Sequence, residues 1–329
     1  MKNKILEILE RNKGEFISGE EIARSLAITR AAVWKNIREL KNKGHKIQSI
    51  TNKGYKLENF NDVLSKDGIK KNLSANSKIS EIICLDTIDS TNNFAKKNNF
   101  SHGTLIAANE QTAGRGRYGH NFESPAGTGL YMSLVLKPKI EIEKFQMITI
   151  ADAVAVCLAV EDLYEDSKNK LKIKWVNDVF FKNKKITGIL TEAVTNFESG
   201  EIESVVTGIG VNVSTKNFEN EIAGSIFEDE KEFLFTRNEL CAKIADYVMN
   251  FAEDLSSPDL INAYRQRSLL KHSDKITFIK DGEKFSACVN FIDDNGGLVI
   301  INEKGQEEIL RSGEVNTIRN EELKIKNEN

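Results

Sequence analysis

At 329 residues, with 40% hydrophobic and 29% charged residues and only three prolines, the chain has the composition of a globular protein of about two or three domains, which excludes collagen-like and disordered architectures. Its four cysteines, Cys84, Cys157, Cys241 and Cys288, stand far apart with no CxxC and only four histidines beside them, so buried thiols are expected rather than a zinc site or a disulfide framework. The start lacks the uninterrupted apolar segment of a secretory signal, and the longest apolar-rich run, Met147 to Leu163, holds Asp152 and Glu161 and falls short of the roughly 20 residues that span a bilayer. A cytoplasmic protein without a membrane partner is expected.

The net charge of −3 hides an asymmetry. Residues 1–60 hold thirteen Lys and Arg against seven Glu and no Asp, which leaves −9 on the remainder. A basic front suggests a polyanion partner, although a solvated charged face would look similar. Ile5, Leu6, Ile8 and Leu9 recur at helical spacing, Ser18 and Glu21 form an S-x-x-E capping box ahead of Ile22, Ala23 and Leu26, and a turn over Ala27 to Thr29 leads to a third helix on Val33, Ile37 and Leu40. Two short extended runs, Lys46 to Ile50 and Tyr55 to Leu57, flank the turn Thr51-Asn52-Lys53-Gly54. Three helices and a basic hairpin read as a winged helix-turn-helix, with Thr29, Arg30, Lys35, Asn36, Arg38 and Lys53 as candidate DNA contacts; a helical domain for protein contacts is the alternative. The polar ENFND stretch, Glu58 to Asp62, reads as the start of a linker.

From about Lys78 to Lys271, strand patterns (Ile82 to Leu85, Gly103 to Ala108, Leu130 to Leu136, Leu171 to Val176, Ile186 to Val194, Val205 to Val213) mix with helical ones (Asn92 to Asn98, Phe145 to Tyr164, Arg237 to Leu255). Successive strands without an intervening helix favour α+β with a mixed or antiparallel sheet. The segment Glu110 to Gly119 is the most informative: Gly114, Gly116 and Gly119 allow positive φ and amides turned toward an anion, and Arg115 and Arg117 add permanent charge suited to phosphate oxygens. It is neither a P-loop nor a GxGxxG that opens a helix, and by itself it could be a solvated surface loop.

In order along the chain, Asp89-Ser-Thr-Asn92, Gly114-Arg-Gly-Arg117, Lys174-Trp-Val-Asn-Asp178, Lys185-Ile-Thr-Gly-Ile189 and Gly208-Ile-Gly-Val-Asn212 resemble the motifs of biotin protein ligases, and the winged helix in front resembles their bifunctional members, which repress biotin synthesis genes. Two departures stand out: Val176 where the family usually has Pro, and Phe122 where Trp is common. Val keeps extended backbone accessible and Phe keeps an aromatic face, so altered detail is expected and not lost activity. The resemblance implies an α+β multidomain fold: a winged helix-turn-helix over residues 1–60, a linker over 61–77, a central mixed β-sheet with helices of the class II synthetase and biotin ligase type over 78–271, and a small SH3-like β-barrel over 272–329. Alternating runs Lys275 to Ile279, Lys284 to Phe291, Gly297 to Ile301 and Glu307 to Arg311, split by Asp281-Gly282, Asn295-Gly296 and Lys304-Gly305 turns, fit the last.

The implied substrates are ATP and biotin, with Mg2+ accompanying the nucleotide. Implied biotin contacts are Ser90, Thr91, Asn92, Gln111, Gly114, Arg115, Gly116, Arg117, Lys185 and Gly188; implied adenylate contacts are Arg117, Asn177, Asp178 and Asn212. Lys185, Arg117 and Arg115 are the expected catalytic groups, bringing two anions together, and metal ligands are not assigned. Ser90 and Thr91 could equally cap the following helix, Lys185 could be one lysine of a basic loop, and Asn177-Asp178 could form a turn after a strand. The implied partners are a biotin carboxyl carrier protein offering a lysine, operator DNA, and a second copy of the chain in a dimer promoted by biotinyl adenylate. A non-catalytic biotin-sensing repressor and a lipoate-type ligase are the competing readings.

Overall fold

The computed structural model describes residues 1–42, 44–58, 60–137, 144–195, 202–229, 232–280 and 283–317. Helices α1 (Lys2–Arg11), α2 (Gly19–Leu26) and α3 (Arg30–Asn42) precede a hairpin of β1 (Ile47–Ile50) and β2 (Gly54–Leu57). Ile5, Leu9, Ile22, Val33, Ile37, Leu40 and Leu57 form the small core, the stripe expected from the helical spacing. Only half of the capping box is seen: Ser18 Oγ accepts from the Glu21 amide, but no return bond from the Glu21 side chain caps α2. Gly54, at φ +102°, brings Tyr55 against Ile17, where amide and carbonyl exchange bonds at 2.9 Å; a Cβ there would meet the Ile17 carbonyl.

Residues 61–77, expected as a linker, are folded against their neighbours. They contain α4 (Lys66–Asn72) and are fastened at both ends. Asn61 Oδ1 accepts from the Lys46 amide and its side-chain nitrogen meets His45 Nδ1 at 3.2 Å. Asp62 binds Arg237 through Oδ2 to Nε at 2.9 Å, and the same guanidinium donates to Asn109 Oδ1 and the Gly129 carbonyl. Burial pushes the Asp62 carboxyl up, and Arg237 opposes that shift. The pair is a buried charge held by hydrogen bonds, the condition under which such a pair survives desolvation.

The central sheet has seven strands: β3 (Glu81–Ile88), β4 (Thr104–Gln111), β5 (Gly129–Leu136), β6 (Lys172–Lys174), β7 (Asp178–Phe181), β8 (Lys184–Thr195) and β9 (Ile202–Asn212). Their spatial order is β3-β4-β5-β9-β8-β7-β6, parallel only between β3 and β4, which is the mixed sheet expected. One face carries the short α5 (Thr91–Lys97); the other is covered by α6 (Phe145–Leu163) and α7 (Arg237–Phe251), with α8 (Pro258–Arg267) against α6. α6 is buried nearly all round, which its run of Ala, Val and Ile dictates. No helix among the described residues is long and apolar enough to cross a membrane.

A five-stranded antiparallel sheet follows, β10 (Lys275–Lys280), β11 (Glu283–Ile292), β12 (Leu298–Asn302), β13 (Glu307–Leu310) and β14 (Val315–Thr317), ordered β13-β12-β11-β10-β14. Among the described residues no pairing joins its two edges into a closed barrel. The expected Asp281-Gly282 turn lies outside the described residues; Gly296 and Gly305 take positive φ, as turns at those sites require. The sheet shares one apolar core with the central layers, and its Gly296 carbonyl accepts from Trp175 Nε1 at 3.0 Å and Gln146 Nε2 at 2.8 Å. All four thiols are free, as expected, but only Cys157 and Cys241 are buried while Cys84 and Cys288 are half-buried; burial pushes Cys84 and Cys157 up to about 12.

Candidate functional site

Two cavities open side by side on the α5 face of the sheet, and Phe122 lines both. Glycine makes the floor. Gly188 on β8 and Gly210 on β9 are directly opposed, and the Phe122 ring lies over them; a Cβ on Gly210 would fall 2.5 Å from that ring, and one on Gly188 3.2 Å. Phe122 meets Tyr131 edge-on at 6.4 Å, and Tyr131, its phenol pushed up to about 12 by burial, donates to the Pro125 carbonyl. Glycine inside a strand marks a close approach, and here the approaching group is aromatic.

The first cavity has a neutral polar end. Gln111 Oε1 accepts from the Thr91 amide at 2.9 Å and lies 3.1 Å from Thr91 Oγ1, while Gln111 Nε2 donates to Ser124 Oγ at 3.0 Å. Ser133 Oγ lies 2.6 Å from Asn92 Oδ1 and 2.7 Å from Thr91 Oγ1. An amide oxygen can only accept, so the Thr91 hydroxyl donates to Gln111 Oε1, and the Ser133 hydroxyl donates to Asn92 Oδ1 and shares that proton with Thr91 Oγ1. Asn92 also donates to the Leu190 carbonyl and Glu192 Oε2, so its amide ties α5 to β8 and is engaged with protein on both atoms, while the residue lines the cavity. Ser90 caps α5 through the Asn93 amide at 3.4 Å and also lines the cavity.

The glycine-rich loop closes on itself. The Phe122 amide donates to the Gly114 carbonyl and the Gly116 amide to the His120 carbonyl, making a tight flap. Of the three loop glycines only Gly119 takes positive φ, at +79°, joined by Tyr118 at +53°. Gly114 is needed for space instead, since a Cβ would lie 2.3 Å from the Phe122 carbonyl. The flap also separates the two arginines expected to act together. Arg115 turns to the first cavity, donating to Asn93 Oδ1 and standing 3.7 Å from Glu192; Arg117 turns to the second, donating to Asn177 Oδ1 at 2.9 Å and resting on the Tyr118 ring. Burial raises the Glu192 carboxyl, but bonds from Lys96 and Asn92 and the charges of Lys96 and Arg115 bring it below the usual glutamate value.

The second cavity, about 290 Å3, is charged. Lys185 Nζ pairs with Asp178 Oδ2 at 2.8 Å, and Asn177 donates to Asp178 Oδ1 at 3.0 Å. Asn177 lies in the turn after β6, and Asp178 opens β7, a strand the sequence reading missed. The Trp175–Val176 peptide before them is cis. The C-terminal sheet completes the rim with Glu314, 3.1 Å from His120. Asn212, expected among these groups, lines neither cavity: it ends β9 opposite Gly129, and its carbonyl accepts from the Ile226 amide.

On the front domain Arg30, Lys35, Arg38 and Lys53 are exposed. Thr29 is exposed too and its Oγ1 caps α3 by accepting from the Ala32 amide, whereas half-buried Asn36 donates to the Ala32 carbonyl. Sequence reasoning missed Ser133, Ser124, Tyr131 and Glu192. Ser133 carried a signal, the one small polar side chain inside the apolar run Leu130 to Leu136. The other three carried none apart from the fold.

A model of the biotin/lipoate A/B protein ligase family matches residues 84–212, which contain every lining residue of the first cavity and the central-sheet residues of the second, and a helix-turn-helix domain model matches residues 2–56. The bifunctional ligase/repressor BirA of Escherichia coli is 30% identical over 235 residues, 70% of each chain. The chain belongs to the biotin/lipoate A/B protein ligase family. Its front helix-turn-helix gives it the domain order of the family's ligase/repressor members. The bifunctional ligase/repressor BirA of Bacillus subtilis is 36% identical over 217 residues, and the match spans 65% of that protein's length, just under two thirds. A biotin protein ligase from Aquifex aeolicus, solved in complex with biotin and ATP, is similar in fold with a TM-score of 0.57 and 28% identity, over 72% of this chain and 98% of that one.

Proposed function

We propose that this chain activates biotin with ATP, transfers it to a lysine of a biotin carboxyl carrier protein, and represses transcription of biotin synthesis or transport genes from the cytoplasm. The observation that carries this reading is the pair of adjoining cavities, neutral and hydrogen-bonding at one end, cationic at the other, meeting at Phe122. Biotin has a neutral ureido ring, an apolar body and a carboxylate, and ATP brings phosphates to meet that carboxylate. Ser90, Thr91 and Gln111 offer donors and acceptors for the ring, with Ser133 and Asn92 as positioning residues, and Phe122, seated on the glycine floor, offers an apolar face to the body.

In the first step a biotin carboxylate oxygen attacks the α-phosphorus of ATP and pyrophosphate leaves. Lys185 and Arg117 offset the charge of the two anions as they meet, Asn177 orients Arg117, and Arg115 closes over the biotin side. In the second step a neutral lysine amine attacks the acyl carbon, AMP leaves with the anhydride oxygen, and the amine loses its proton. Magnesium is expected on the triphosphate, where it would draw charge from the phosphate oxygens. No cluster of three metal-ligating side chains occurs among the described residues, and Asp178 is a carboxylate placed to meet such an ion, consistent with magnesium's habit of keeping waters and phosphate ligands. We read the C-terminal sheet as the SH3-like module, supplying Glu314 to the rim. Repression is read as dimeric, because one winged helix makes few base contacts, and adenylate that orders the flap can share that ordering with a dimer surface.

The test is mass spectrometry of the full-length protein after incubation with biotin and ATP, with pyrophosphate followed in parallel and lipoate as a second arm. Retained biotinyl adenylate with biotin-dependent pyrophosphate supports the reading. Binding of biotin without pyrophosphate release turns the protein into a sensing repressor, and preference for lipoate turns it into a lipoate-type ligase.

A further inference from the structure

On the reading that the front domain binds DNA, we infer that Trp34 is its apolar base reader, seated against the C5-methyl of a thymine in the major groove. Trp34 is 57% exposed, the side chain least expected at the surface of a domain whose other large apolar residues on α3 are buried. It is the fifth residue of α3, in the half of a recognition helix that reaches base edges. Arg30 and Arg38 lie four residues to either side, so the three side chains stand in one row along the helix. The Arg38 guanidinium lies 5.7 Å from the centre of the indole ring, covering part of it and holding its orientation.

This row has the composition of a duplex-DNA contact: cations that meet phosphate on both sides of a flat apolar group. An apolar protein partner would want a continuous greasy face, and here both neighbours in the row and Lys35 beside it are charged and exposed. In the major groove the apolar feature presented by a base pair is the thymine methyl, which gives an indole a specific partner, while Arg30 and Arg38 supply positioning contacts that carry no sequence information. The residue therefore sets specificity where the arginines set affinity.

The experiment uses the full-length protein with biotin and ATP on a random duplex pool, selecting bound sequences, then measuring binding to the selected site with each dT replaced in turn by dU, which deletes only the methyl. Wild type should lose about tenfold at one or more dU positions; Trp34→Ala should bind the unmodified site about tenfold more weakly and be indifferent to dU there. Arg38→Ala should weaken all sequences alike and flatten the salt dependence. Trp34→Ala binding the selected site as wild type does, or responding to dU as wild type does, overturns the inference while leaving the repressor reading intact. A wild-type protein that selects no sequence overturns both.

Discussion

The two ends of the site are built on opposite plans. In the first cavity each polar side chain is held by another: Gln111 by Thr91 and Ser124, Ser133 by Asn92, Asn92 by β8. In the second the charged groups are engaged with single countercharges or neutral partners at an open surface, Lys185 with Asp178 and Arg117 with Asn177. A neutral ligand is recognised by directional bonds that gain little unless the donors are already fixed, whereas an anion is drawn by charge that can be exchanged from one partner to another. On the proposed function, the neutral end would decide which acid binds and the charged end how fast it is activated.

The largest effect expected from that division is on Lys185. Lys185→Gln should slow biotin-dependent pyrophosphate release by roughly 10² to 10³, because it removes charge stabilisation at the reacting carboxylate and phosphate. A change within a few-fold in a folded protein would make Lys185 a surface lysine. Arg117→Ala should speed dissociation of preformed biotinyl adenylate by roughly ten- to hundredfold, the loss of a charge-assisted bond, and stopped-flow release reads it directly. Arg115→Ala, on the other side of the flap, should do less to the phosphate end; equal effects from both arginines would erase the distinction between the cavities.

At the neutral end Ser133→Ala should raise the KM for biotin about fivefold with kcat little changed, since one hydrogen bond that positions Thr91 and Asn92 is lost while the charged end is untouched. Ser133→Thr should restore part of it. The smallest effect lies beneath the sheet. Asp152 of α6 is fully buried against Thr207 of β9, the neighbour of Gly208, and burial pushes its carboxyl from 3.8 up to about 7. The folded protein thus keeps a proton that the unfolded chain gives up, so the stability tied to this group is whole below pH 3.8 and is lost as pH rises toward about 7. Asp152→Asn should flatten the fall in urea midpoint between about pH 4 and 7, and an unchanged slope would place the titration elsewhere.

Where the apolar pattern is strong, the sequence was legible: α3 lies where its periodic stripe predicts and α6 and β5 where apolar-rich runs do, and the ordered motifs converge on one face. What escaped depends on long-range closure. The four residues Asp178–Phe181 make β7 only because β8 returns beside them, and the Asn-Asp pair looked like a turn. Asp62 and Arg237 are far apart in sequence, so nothing local revealed that the expected linker is clamped to α7. The directions of Arg115 and Arg117 follow from the bond between Phe122 and Gly114 that closes the flap, and their spacing alone suggested a joint role. Asn212 belonged to a motif but ends its strand away from both cavities.

The division between the two ends is tested most directly by calorimetric titration of biotin, without nucleotide, into wild type, Lys185→Gln and Ser133→Ala, on the same preparations used for pyrophosphate release. The account predicts that Lys185→Gln binds biotin as wild type does while its activation rate collapses, and that Ser133→Ala binds about fivefold more weakly with its saturated rate intact. Biotin affinity falling in step with activation in Lys185→Gln, or a saturated rate lost in Ser133→Ala, would contradict it.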